Sequence, residues 1–141
     1  MADFEQIKCA VVTGNAPELK KQVREALADG IVAADILNGG LIAAMDIVGE
    51  RMETGEMFIP EVLMSAGAMA TSLDVLKPHL GAASDGPQRI IVVGTVKGDV
   101  HDIGKNLVTM MLESSGFTVH DLGVDVAPEI FVTKVKETNA K

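Results

Sequence analysis

Ile90-Ile91-Val92-Val93-Gly94-Thr95-Val96-Lys97-Gly98-Asp99-Val100-His101-Asp102-Ile103-Gly104-Lys105-Asn106 runs from an apolar segment through a polar, glycine-containing loop into a helix start. Ile90 to Val93 are continuously β-branched with no polar alternation, the mark of a parallel strand buried on both faces. A loop from Gly94 to Asp102 follows, then a helix predicted to bury Leu107, Val108, Met111 and Leu112 and to end at Gly116. Phe117 to Leu122 predicts a second strand, and Pro128 to Glu137 a second helix. Strand, helix, strand, helix opens a doubly wound α/β domain over residues 89–141. Two parallel strands cannot cover a hydrophobic sheet, so the domain reads as incomplete at Lys141, its remainder supplied by a longer protein or by another copy of the chain.

Upstream, Gly81-Ala82-Ala83-Ser84-Asp85-Gly86-Pro87 is small, polar and rich in helix breakers, so residues 81–88 read as a linker. Residues 1–80 read as helical throughout. Phe4, Ile7 and Val11 keep helical spacing; Asn15-Ala16-Pro17-Glu18 resembles a cap before the stripe Leu19, Val23, Ala26 and Leu27. Leu37, Leu41, Ala44 and Val48 predict a third helix, in which Gly39 and Gly40 would let another backbone approach. A fourth starts at Pro60 and presents Val62, Ala66, Met69, Leu73, Leu76 and Leu80. These four helices predict a bundle.

Composition removes several function classes. The net charge of -8 and the absence of Trp and Tyr argue against a nucleic-acid partner, which would want a basic face and stacking aromatics. The acidity is concentrated in the bundle: residues 1–80 carry 6 basic and 12 acidic side chains, residues 81–141 carry 6 and 8. No apolar run approaches the ~18 residues of a membrane span, and the start lacks the pattern of a secretory signal, so a cytoplasmic protein is expected. The single Cys9 cannot form an internal disulfide, and its apolar neighbours Ala10, Val11 and Val12 predict a buried structural thiol.

In open α/β sheets ligands gather at the carboxyl ends of the strands, which here means the loop after Val93. Gly98 and Gly104-Lys105 invite comparison with a phosphate loop, but that motif has four residues between its glycines and Ser or Thr after the lysine. This chain has five, then Asn106, and Asp99 and Asp102 would repel phosphate. A zinc site on Asp99, His101 and Asp102 would need further His or Cys ligands, and His79, His120 and Cys9 fall at no familiar spacing. A lone loop histidine is ordinarily just solvated. Taken as one unit, though, Asp99-x-His101-x-x-Gly104 has a chemical logic. An imidazole that binds a metal through one nitrogen presents the other to a partner, and a carboxylate two residues earlier can orient it and raise its basicity. Gly104 admits a bulky ligand to the start of the helix. Such a pattern arises by chance in roughly one chain of this length in a hundred.

At these residues the sequence resembles the cobalamin-binding module of methionine synthase and, more closely in size, the corrinoid proteins of methyltransferase systems. The resemblance implies a Rossmann-like, flavodoxin-like cobalamin domain below a helical cap. It makes His101 the lower cobalt ligand, with the cofactor's own benzimidazole displaced, Asp99 its hydrogen-bond partner and Gly104 the close-approach glycine. Gly98 and Asp102 belong to the same binding loop. The resemblance extends to Gly49-Glu50-Arg51-Met52-Glu53-Thr54-Gly55-Glu56-Met57-Phe58-Ile59-Pro60-Glu61-Val62, similar to the stretch that covers the upper face of the corrin. Met52, Ile59 and Val62 match the shielding positions, with Met52 in place of an aromatic residue, and Asn38 stands where methionine synthase has a cofactor-contacting glutamate. Taken alone, Met45, Met52, Met57, Met64 and Met69 would more often be core.

The function so implied is a corrinoid methyl carrier. It would take a methyl group from a substrate-specific methyltransferase and yield it to a second, and it would be a carrying subunit rather than a catalyst by itself. A cobalamin-dependent sensor module and a helical interaction domain without cofactor are the alternatives. An unpaired strand edge further predicts self-association and weakened cofactor binding at this length.

Overall fold

The computed structural model describes residues 3–80, 89–114 and 116–140, and the chain divides into two compact units, Met1–Gly86 and Pro87–Lys141. The linker expected over 81–88 lies outside the described residues.

In the first unit, α1 (Phe4–Val12) starts where the Asp3 carboxylate accepts the Glu5 N–H at 3.0 Å, and it buries Ile7, Ala10 and Val11. Cys9 is exposed, not buried. Successive helical residues turn by about 100°, so a face centred on Ile7 and Val11 leaves Cys9 outside. Asn15 accepts the Glu18 N–H at 3.2 Å and caps α2 (Ala16–Ala28), which buries Leu19, Gln22, Val23 and Ala26. Gly14, at φ +67°, joins the two helices so close to a later helix of the bundle that a Cβ there would lie 2.8 Å from Met64 Cβ.

The expected third helix is present but not uniform. A short α3 (Ala33–Asp35), a π-helical segment Ile36–Ile42 and α4 (Ala43–Glu53) follow one another without a break. The π segment contains the glycine pair, and what comes close is not backbone but two side chains of α1. A Cβ on Gly39 would be 3.1 Å from the Phe4 ring, and one on Gly40 would be 2.9 Å from Ile7 Cγ2.

Helix α5 (Ile59–Leu80) begins one residue before Pro60. The Glu61 carboxylate accepts the Phe58 N–H at 2.8 Å, while the Phe58 carbonyl accepts the N–H groups of Glu61 and Val62. Its buried face is Val62, Ser65, Ala66, Ala68, Met69, Ser72 and Leu76, with Leu73 and Leu80 half-buried, and α2 is its main packing partner. Among the described residues α5 is the one helix long and apolar enough to cross a membrane by length and composition, although Glu61 and Asp74 interrupt its apolar run. Small residues such as Ala66, Ala68 and Ala70 raise its hydropathy while one face packs into the bundle.

In the second unit, β1 (Ile90–Val93) and β2 (Thr118–Asp121) pair in parallel, Ile90 opposite Thr118 and Val93 opposite Asp121. The ladder continues past the strand ends. Leu122 N–H donates to the Val93 carbonyl at 2.8 Å, Thr95 N–H to Gly123 at 2.8 Å and Val126 N–H to Thr95 at 2.9 Å. Helices α6 (Ile103–Ser114) and α7 (Pro128–Thr138) complete the β-α-β-α order, the start of a Rossmann-like domain. Gly94 is needed for packing against α7, since a Cβ there would meet the Phe131 ring at 2.8 Å.

Two expectations need correcting in this unit. All four β1 residues are half-buried rather than buried on both faces, because the sheet of the described residues has two strands. Val108, predicted as core, is 52% exposed, while Leu107, Met111 and Leu112 are half-buried.

Candidate functional site

The loop between β1 and α6 begins with a turn. Asp99 N–H donates to the Val96 carbonyl at 3.1 Å, with Gly98 at φ +86° in the third position of the turn, a conformation that favours glycine. From there Asp99 and His101 form one hydrogen-bonded unit. Asp99 Oδ1 accepts the His101 backbone N–H at 2.9 Å and the ring Nδ1–H at 2.5 Å. These two bonds, the backbone one first, hold the Asp99 carboxyl below its ordinary value and therefore ionised at neutral pH. With Nδ1 committed as a donor, the free lone pair of the ring is on Nε2. The His101 side chain is 94% exposed.

Three further contacts tie this unit to the sheet. The half-turn is closed by Thr95, 8% exposed, whose Oγ1 donates to the His101 carbonyl at 2.8 Å. Asp125 Oδ1 accepts the Gly98 N–H at 2.8 Å, and Asp125 N–H donates to the Asp99 carbonyl at 3.0 Å. Asp102 is exposed, and its carbonyl accepts the Asn106 N–H in the first turn of α6. A Cβ built on Gly98 or Gly104 would meet no atom of the chain within 4 Å, so the space above both glycines is open.

Lys105 does not face a phosphate. Its ammonium donates to Asp121 Oδ1 and Oδ2 at 2.8 and 2.7 Å and to Asn106 Oδ1 at 2.8 Å, with the lysine side chain only 12% exposed. The group that the phosphate-loop comparison would use is therefore an internal pin between α6 and the end of β2.

In the bundle, Met52 is 41% and Ile59 47% exposed, and Phe58, which precedes Ile59, is 68% exposed. Val62 is a core residue at 1% exposure, so it does not share that surface. It sits one turn into α5 on the face that packs inward. Asn38 is exposed on the π-helical segment.

Residues 3–77 and 89–141 each match a B12 binding domain. The chain belongs to the B12-binding family. It is 42% identical over 144 residues to dimethylamine corrinoid protein 3 of Methanosarcina acetivorans, an alignment covering 99% of the chain and 67% of that protein. It is 46% identical over 126 residues to dimethylamine corrinoid protein 1 of Methanosarcina mazei, covering 89% of the chain and 55% of the relative. Among solved structures, the methanol:cobalamin methyltransferase complex of Methanosarcina barkeri matches with a TM-score of 0.85 and 32% identity, over 96% of this chain and 52% of that one. A cobalamin-binding protein of Desulfitobacterium hafniense matches with a TM-score of 0.79 and 34% identity, over 99% and 66%. The chain thus spans between 52% and 67% of the length of these relatives.

The cofactor of this B12-binding chain is cobalamin or a related corrinoid. The loop fits it. Among the described residues no three His, Cys, Asp or Glu side chains gather as a metal site. An oriented, exposed imidazole beside two uncovered glycines is a donor arrangement that a corrinoid's cobalt could accept. Sequence reasoning missed Thr95, Asp121 and Asp125. The one local signal for them was the turn chemistry of Gly123-Val124-Asp125.

Proposed function

We propose that this B12-binding chain is a corrinoid methyl carrier that holds its cofactor with the cobalt's lower position filled by His101. The observation that carries this reading is the Asp99–His101 unit. Its carboxylate fixes the ring proton on Nδ1 and leaves Nε2 as an exposed donor of electron density. The bound corrinoid supplies a cobalt that accepts and releases a methyl group, chemistry that no side chain offers.

The residues then divide the remaining work. Asp99 holds the imidazole in one tautomer and supports any positive charge that develops on it. Gly98 and Gly104 keep the ligand's approach free of side chains, and Asp102 borders it. Met52 and Ile59 offer apolar surface suited to shielding a methyl group from water, and Asn38 offers an amide for a polar edge of the cofactor. Relatives named for dimethylamine and methanol support a methyl group arising from a small methylated compound. One methyltransferase specific for that compound would load it, and a second would unload it.

The test uses cobinamide, which has no benzimidazole of its own, so any axial nitrogen must come from protein. The Co(II) complex with the chain should show nitrogen hyperfine coupling in its electron paramagnetic resonance spectrum, and His101→Ala should abolish it. Coupling that persists in the variant would refute the ligand assignment.

A further inference from the structure

A ligand loop must be fixed relative to its scaffold, and the Asp99–His101 pairing alone cannot do that. Both of its bonds are internal to residues two apart, so the pair can swing as a unit. What stops it is a residue from the other strand–helix connection. Asp125 Oδ1 accepts the Gly98 N–H at 2.8 Å, and Asp125 N–H donates to the Asp99 carbonyl at 3.0 Å, so the Gly98–Asp99 dipeptide is gripped at both ends by one residue. The grip has a conformational requirement. Asp125 stands at φ +53°, in the left-handed region that Asp, Asn and Gly tolerate and most side chains do not. That geometry lets its amide and its carboxylate reach the same dipeptide. Beside it, Val126 N–H donates to the Thr95 carbonyl, and Thr95 Oγ1 donates to the His101 carbonyl, which anchors the far end of the same half-turn.

We infer that Asp125 is a positioning residue for the cobalt ligand: it locks the Gly98–Asp99 dipeptide so that His101 Nε2 points in one direction. This rests on the assignment of His101 as lower ligand. Asp125 acts through Asp99 and His101 and does not itself touch the cofactor. The role requires an acceptor oxygen and tolerance of positive φ, not the negative charge.

Asp125→Gly and Asp125→Asn separate these requirements. Glycine accepts the left-handed conformation without strain and deletes the acceptor together with the charge, whereas asparagine loses the charge but keeps an acceptor oxygen and tolerates the same φ. Each variant of the 141-residue chain is titrated with Co(II) cobinamide, and the fraction of cobalt with histidine nitrogen coupling is read by electron paramagnetic resonance. Circular dichroism melts and amide exchange at Gly98 are recorded on the cofactor-free chain. For Asp125→Gly we expect an unchanged circular dichroism spectrum, faster exchange at Gly98 and about tenfold weaker histidine-ligated binding, the size expected for losing a preorganising hydrogen bond. Asp125→Asn should stay within about twofold of the original protein. Histidine-ligated binding by Asp125→Gly equal to the original, or Asp125→Asn as impaired as Asp125→Gly, would overturn the proposal. His101→Ala in the same titration separates the two claims. Coupling retained there sinks the ligand assignment, while coupling lost there but intact in Asp125→Gly sinks only the positioning role.

Discussion

Lys105→Met asks whether the pin between α6 and β2 stabilises the unit that carries the ligand loop. Methionine keeps the length and apolar stem of lysine and removes the ammonium, so the loss isolates the contacts to Asp121 and Asn106. Exposed ion pairs are worth about 0–1 kcal/mol, whereas breaking a buried one costs about 3–5 kcal/mol. This pair lies between those limits. Lys105 is 12% exposed and bonds both oxygens of Asp121, but Asp121 is 32% exposed and would keep the Gly123 N–H at 2.9 Å. The expected loss at neutral pH is therefore about 1–2 kcal/mol. With no Trp or Tyr to report unfolding, urea titration would be followed by NMR signals of β2 and α6. The pH dependence supplies a second check. The Lys105 ammonium, and after it the Gly123 N–H, lowers the Asp121 carboxyl from its ordinary 3.8. A lowered carboxyl stabilises fully above the unfolded value, and that contribution disappears as pH falls through the folded value. The gap between the original chain and Lys105→Met should accordingly be constant from neutral pH to about 5 and shrink in acid. A gap below about 0.5 kcal/mol at pH 7, or one undiminished in acid, would refute the reasoning.

Other perturbations separate ligand chemistry from packing. Asp99→Ala frees the His101 ring to rotate and change tautomer, so cobinamide affinity should fall about 10–100-fold with the melting temperature nearly unchanged; an affinity within twofold would count against the pairing. Gly104→Leu should leave the cofactor-free chain at least as stable, because a Cβ there meets nothing within 4 Å, yet it should block corrinoid binding. Binding that survived Gly104→Leu would show that the ligand does not pass over this glycine. Gly40→Ala drives a methyl group to 2.9 Å from Ile7 Cγ2, where Ile7 is fully buried. Overpacking of ~1–3 kcal/mol outweighs the ~1 kcal/mol gained in helix propensity, so the bundle should melt lower by several degrees, and an equal or higher melting point would exclude the clash.

What the sequence made legible, and what it hid, follows from whether an interaction repeats or is local. Burial on a helix repeats every three or four residues, so Val62, Ala66, Met69 and Leu76 could be found from spacing, and all are buried. A run of adjacent apolar residues has no such discrimination, which is why Cys9 was expected inside and is exposed. Strand burial depends on neighbours that the strand's own sequence does not name, and β1 is accordingly half-buried despite four β-branched residues. Val62 satisfies two patterns at once, a helix face and a cap position, and packing gives it to the core.

The same distinction runs through the site. Asp99 and His101 were readable because their bonds span two residues, and a two-residue spacing is visible in one dimension. Lys105 was ambiguous because its meaning depends on Asp121, 16 residues later, and Asp125 was invisible because its partner Gly98 lies 27 residues earlier. Hydrogen bonds of that reach are made by strand register: Val93 opposite Asp121 sets the two loops side by side at the strand ends. The local pair decides which ring nitrogen keeps a free lone pair. The register decides where that nitrogen is held, and so a motif can reveal the proposed ligand of the site without revealing the residues proposed to aim it.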